Sequence, residues 1–341
     1  MLVNILAPIF VFAVIVLIHE GGHFLMAKLT GMKVEEFAVG FGPKLGGIKR
    51  GETLYSLRVI PLGGFNRIAG MDSSDKNDDP RAFVNRPVWA RLLGIAAGSV
   101  INELLAIFIF VFAFLYAGYQ TFPDLPVVGG VLAGTSAEKQ GIEKGDTILT
   151  VAGRKVDTWT DIGKITKTLD TRIVPVTVSH EGEEKTLTIM MTDGDNGRPI
   201  IGISPYLEHH DVGLGKAFLM GGERCLFLLK MMVTGLVDMI SGHEADVAGP
   251  IGVARMSAQV ADTGFLSLLL FIALLSLNLG FLNLLPIPLL DGGVLILTLI
   301  EGVSGRELPE KALYYIQAVG VTILLGLFLF AMSNDIQGLM K

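Results

Sequence analysis

Charge is scarce in this chain and cysteine almost absent. Soluble domains carry about a quarter charged residues; of the 341 residues here only 18% are charged, while 51% are hydrophobic. That balance excludes an ordinary soluble domain and points to a membrane protein. The single cysteine, Cys225, excludes an internal disulfide framework and any cysteine-rich zinc knuckle. It leaves the compartment open. A net charge of −6, with no dense basic patch, excludes a nucleic-acid surface.

Four apolar runs are long enough to cross a bilayer, in residues 1–29, 92–118, 265–291 and 313–332. No basic stretch precedes the first and no small-x-small cleavage site follows it, so it reads as a retained helix entering from the outside. Between the first two runs, residues 30–91 hold Lys33, Lys44, Lys49, Arg50, Arg58, Arg67, Arg81, Arg86 and Arg91. The positive-inside rule assigns that loop to the cytoplasm. The insert after the second run then faces outward.

Residues 126–192 alternate in short strands, "VVGGVL", "TILTVAG", "VPVTVSH" and "KTLTIMM", separated by Gly- and Asp-rich turns. "GTSAEKQGIEKGDTILTVAGRKV" resembles the core of a PDZ domain, a fold that accepts extended peptides along a strand edge. In residues 193–264, the apolar stretch from 212 to 240 is broken by Lys216, Glu223, Arg224, Lys230 and Asp238. It reads as an interfacial amphipathic helix rather than a fifth span. The expected fold is a membrane all-α core of four transmembrane helices, with a cytoplasmic β-hairpin loop and an inserted extracytoplasmic α+β PDZ domain.

Near the inner end of the first run stands "HEGGH". On a helix, His19 and His23 lie one turn apart on one face, so both imidazoles can reach one zinc ion. Glu20 lies about 100° around the helix, where it can serve as general base without binding the metal. The competing reading is two satisfied histidines packed between helices. Ionisable groups inside a membrane persist mainly where they are paired or functional, which favours the metal. A catalytic zinc needs a third protein ligand and an open position. Asp291, ending "NLGFLNLLPIPLLDGG", is the candidate; the alternative is a helix cap facing the cytoplasm. Pro286 and Pro288 force that run to unwind, and Gly292 and Gly293 permit a sharp turn. With four spans, Asp291 and His19 fall on the same membrane side.

These motifs together resemble the site-2 protease family, and within it the bacterial regulator of sigma E protease group with a single PDZ insert. The likeness extends to "VGFGPKL", "SLRVIPLGGF" and "AGPIGVARM". It implies an intramembrane zinc endopeptidase acting in regulated intramembrane proteolysis, in a bacterial inner membrane with the PDZ domain outside. Its substrates would be transmembrane segments, of anti-sigma factors or signal-peptide remnants for example. By motif, His19, His23 and Asp291 would bind one Zn²⁺ and Glu20 would be the base. Asn278, Asn283 and Pro286 would line the substrate path or position the scissile carbonyl, joined by Asn102 of the second span. "LYSLRVIPLGGF" reads as a strand pair with a Gly turn, and an exposed edge over residues 55–60 would pair with the unwound substrate.

Two segments depart from the family. Its G-P-x-x-N-F becomes "GSVINE", so Ser99 replaces proline and Glu103 stands where an aromatic is usual. Val294 follows DGG where relatives often carry histidine, which predicts a missing partner for the site. The alternative function is an inactive membrane-anchored PDZ scaffold with a structural zinc. The presence of Glu20 separates the two, because a scaffold needs no base beside the metal.

Overall fold

The computed structural model describes residues 2–71, 78–194, 199–242, 249–306 and 308–340. The chain divides into two compact units, Met1–Tyr116 with Gly213–Lys341, and Ala117–Val212. In chain order, the first unit opens with α1 (Leu2–Leu29), followed by strands β1 (Val34–Arg50) and β2 (Thr53–Ile68) and by α2 (Val88–Ala117).

The β1–β2 pair is more than a hairpin. Residues 36–39 of β1 pair with 64–67 on one side and with 54–57 on the other, while 46–50 pair with 53–57. Two bent strands thus make four segments, with 36–39 and 54–57 running parallel and the two outer pairings antiparallel. Tyr55, Ser56 and Leu57 are paired on both sides, so the substrate edge expected over 55–60 is an interior segment there. β2 is a single strand through Gly63 and Gly64, yet its halves 54–57 and 64–67 run in opposite directions on either side of 36–39, so the chain reverses in the stretch where the sequence placed a Gly turn. Long strands can fold back in this way because register shifts near Phe41 and Lys44 let each strand bend. The outer segments are 46–50 and 64–68.

The second unit carries β3 (Tyr119–Thr121), β4 (Val128–Val131), α3 (Ser136–Lys139), β5 (Thr147–Val151), β6 (Arg154–Lys155) and α4 (Trp159–Lys167). It continues with β7 (Ile173–His180), β8 (Glu183–Met190), β9 (Thr192–Asp193), β10 (Pro199–Ile200), β11 (Ile203–Pro205) and β12 (Glu208–His210). A four-stranded sheet runs in the order β6-β5-β7-β8. The inward residues of its strands, Ile148, Val151, Val174, Val176 and Ile189, are fully buried with Val128 in one core, a register shift after Ile148 bringing Val151 to the same face. The sequence reading ended this unit at 192. The structure carries it to Val212, because β11 returns to pair with β4 and β12 with β3. These late strands are two or three residues long, too short for alternation to reveal them.

The first unit resumes with α5 (Leu214–Ile240), α6 (Pro250–Asp262), α7 (Phe265–Asn283), α8 (Asp291–Ser304) and α9 (Glu310–Met340). Among the described residues four helical stretches are long and apolar enough to cross a membrane: Ile5–Leu29, Val88–Ala117, Phe265–Asn283 and Lys311–Gly338. The charged α5 is not among them. Val11, Ile15, Ala106, Ile272, Ala273 and Leu277 form the core where α1, α2 and α7 meet.

The third run does not end in a Gly turn. Helix α7 stops at Asn283, and the chain is irregular through the two prolines. Leu289 adopts a positive φ of 79°, uncommon for a leucine. Helix then resumes at Asp291 itself. Gly292 and Gly293 are needed for close approach: a Cβ on Gly292 would strike the carbonyls of Leu284 and Leu285, and one on Gly293 that of Ile287.

Candidate metal centre and active site

The HExxH stretch lies on α1, and the second of its two glycines, Gly22, is required by packing. A Cβ on Gly22 would come within 2.5 Å of Ala97 O, so α1 and α2 meet backbone to backbone at that point. Opposite, Gly98 of α2 makes room for the His23 imidazole, which a Cβ there would penetrate. His23 Nδ1 lies 2.9 Å from Gly94 O. A carbonyl only accepts, so Nδ1 carries the proton and Nε2 presents a lone pair.

Three donor atoms converge. His19 Nε2 and His23 Nε2 are 3.2 Å apart, and Asp291 Oδ2 is 3.4 Å from each. A tetrahedral zinc with bonds of about 2.0–2.1 Å holds its ligand atoms roughly 3.3–3.4 Å apart. The observed triangle matches, and two imidazoles with one carboxylate form an ordinary zinc donor set, so the residues fit the metal. Among the described residues no other group of three or more His, Cys, Asp or Glu side chains has this character.

Around the triangle sit several polar partners. Ser99 Oγ donates to Asp291 Oδ2 at 3.1 Å. Asn283 Nδ2 is 3.3 Å from His19 Nε2. Asn66 Nδ2, from the outer segment of β2, donates to Glu20 O at 2.6 Å and to Glu20 Oε2 at 2.8 Å. At the far end of α8, Glu301 accepts from Arg91 Nη2 at 2.6 Å, tying α8 to α2.

His19, Glu20, His23, Asp291 and Asn283 are therefore together. Pro286 is exposed in the irregular segment, and half-buried Asn278 has no hydrogen bond to the cluster. Asn102 is fully buried between α2 and α7, its backbone carbonyl accepting from Ser276 Oγ at 2.9 Å. Its side-chain Nδ2 and Oδ1 are buried with no partner among the described residues. Glu103 lies against α7, where a Cβ on Gly280 would be 3.3 Å from its Cγ. Val294 packs on the apolar cluster containing Met32 and Ile95. Asp291 nonetheless has a polar partner, because Ser99 supplies one. Sequence reading missed Asn66, whose only signal was an amide beside two glycines in an otherwise apolar strand.

The fold and this centre are those of a zinc metallopeptidase embedded in a membrane. Residues 7–327 match the family model described as Peptidase family M50, and the chain belongs to that family, the site-2 proteases. It is 30% identical to the regulator of sigma-W protease RasP of Bacillus subtilis, over 99% of this chain and 100% of that one. It is 35% identical to a Clostridium acetobutylicum protein provisionally named as a zinc metalloprotease, over 98% and 97% of the two chains. Among solved structures, the PDZ domain of an SdrC-like protein from Listeria monocytogenes aligns with 26% of this chain and 93% of its own. That alignment has 19% identity and a TM-score of 0.22. The chain is an intramembrane zinc protease.

Proposed function

We propose that His19, His23 and Asp291 are the zinc ligands, that Glu20 is the general base, and that the substrate is a membrane-spanning segment unwound beside them. The observation carrying this reading is the near-equilateral triangle of donor atoms with Glu20 on the same turn of α1. Bound zinc would supply Lewis acidity, lowering the pKa of water and polarising a carbonyl. Glu20 Oε2 is held by Asn66, which leaves Oε1 to take a proton from the attacking water and return it to the leaving amine nitrogen. Asn283, beside His19, is placed to donate to the scissile carbonyl oxygen.

A helical substrate conceals its peptide bonds, so it must open locally. The outer segment around Gly64–Asn66 borders Glu20: a Cβ on Gly64 would lie 3.7 Å from Glu20 Cγ. An extended substrate adding to that edge would bring its backbone to the base. The four spans and the basic 30–91 loop support a bacterial inner-membrane topology with the zinc centre toward the cytoplasm and residues 117–212 outside. That inserted unit takes the PDZ role expected from the sequence. The Bacillus relative is named as a regulator of sigma-W, which agrees with anti-sigma factors as one expected substrate class; signal-peptide remnants are the other class expected from the family resemblance.

The test is Glu20→Gln in membranes with a reporter transmembrane substrate. Zinc should be retained while cleavage falls by roughly 10²–10⁴-fold; unchanged cleavage rejects Glu20 as base. In the same variant, a photo-crosslinker at Phe65 should capture substrate and one at Tyr55 should not.

A further inference from the structure

The Asn66 amide is the one side chain of the β1–β2 sheet shown hydrogen-bonded to α1's HExxH stretch. Both atoms it meets, a backbone carbonyl oxygen and a carboxylate oxygen of Glu20, are acceptors. Only the NH₂ side of the amide can satisfy them, so its orientation is fixed by chemistry. Asn66 Oδ1 is buried on the other side, with no partner among the described residues. Gly64, two residues earlier and so on the same strand face, also adjoins Glu20. The sheet is further fastened to α1 by Phe24, whose ring centroid lies 5.1 Å from that of Phe37 and 5.8 Å from that of Tyr55.

A free glutamate on a helix samples several rotamers, and a proton-transfer group loses efficiency when it wanders. We propose that Asn66 is a positioning residue for Glu20: it grips Oε2 and the helix carbonyl together, coupling the sheet edge to the base. The proposal rests on the reading of Glu20 as the base. It makes the sheet part of the catalytic geometry as well as a surface for substrate. An asparagine at this point links the two tasks, because a substrate strand lying on the edge would touch the segment that aims the base.

The experiment uses full-length protein in detergent with a transmembrane reporter. Asn66→Ala should lower kcat by roughly ten- to a hundredfold, with KM and zinc stoichiometry unchanged. Asn66→Asp keeps the shape but replaces the donor with an acceptor, and should lose at least as much. Lys49→Ala, an exposed residue on the opposite outer segment of the sheet, should keep the parent kcat. In metal-free protein, Asn66→Ala and Glu20→Ala should shift the unfolding midpoint non-additively, a readout independent of catalysis. A raised KM with normal kcat would make Asn66 a substrate contact and overturn the proposal. So would an additive cycle, or a Lys49→Ala loss equal to that of Asn66→Ala. Activity surviving in Glu20→Gln would instead reject the base assignment. The cycle would still report whether the Asn66–Glu20 bond exists.

Discussion

Ser99 Oγ donates to Asp291 Oδ2, the same oxygen that faces both histidine Nε2 atoms, from a position with no solvent exposure. Proline, the residue expected there from the family pattern, has no hydroxyl to give. A donor on that oxygen fixes the carboxylate's orientation before a metal arrives. Ser99→Ala should therefore weaken zinc binding by about tenfold, the lower end of what outer partners of metal ligands contribute. Chelator competition measures this. Ser276→Ala removes a buried hydroxyl that bonds Asn102 O instead, and should leave zinc affinity unchanged.

Gly98 and His23 make a second test. Adding one methyl at Gly98 places it inside the imidazole, so Gly98→Ala must displace His23 or separate α1 from α2. Overpacking of this kind costs about 1–3 kcal/mol. Loss of bound zinc, measured by elemental analysis on folded protein, is the expected outcome; full occupancy would show that the ring relocates without consequence.

Arg91 and Glu301 hold the far end of α8, whose first residue is Asp291. Their side chains are 12% and 21% exposed. Removing one partner strands the other, at a cost of about 3 kcal/mol. Arg91→Met should lower the unfolding midpoint. The double change with Glu301→Met should recover much of it, because two apolar side chains strand no charge.

In the inserted unit, His180 Nδ1 donates to Asp146 Oδ1 at 2.5 Å. That bond is the main cause lifting the His180 pKa above its ordinary value, with its partial burial opposing. A raised folded-state value means the pair contributes fully below the unfolded pKa of about 6.5 and fades as pH rises through the folded one. Hydrogen exchange along β7 should accelerate beyond the chemical rate as pH rises above about 6.5 and through the raised folded-state value. His180→Gln should abolish that excess.

Glu36 works with the opposite sign. Burial raises its pKa, but Ser56 Oγ at 2.6 Å and Arg58 Nη2 at 2.8 Å more than offset this, and the net shift is downward. The stability it gives the β1–β2 sheet is present above about pH 4.5 and lost as pH falls through the lower folded value. Proteolysis of residues 34–68 should increase over that acid range, and less so in Glu36→Gln.

Local rules were enough to read the four spans, since twenty apolar residues in a row have few other uses. They also put His19 and His23 on one face, because helical pitch fixes an i, i+4 pair without outside help. Which atoms surround that pair was decided by tertiary structure. Gly94, Ser99 and Asn66 reach the centre from α2 and from a strand dozens of residues away, and no periodicity encodes such encounters. The doubled-back sheet and the helix restarting at Asp291 were hidden for a related reason. Both depend on backbone approaching backbone at bulges and glycines, contacts that have no side-chain pattern until the segments are packed together.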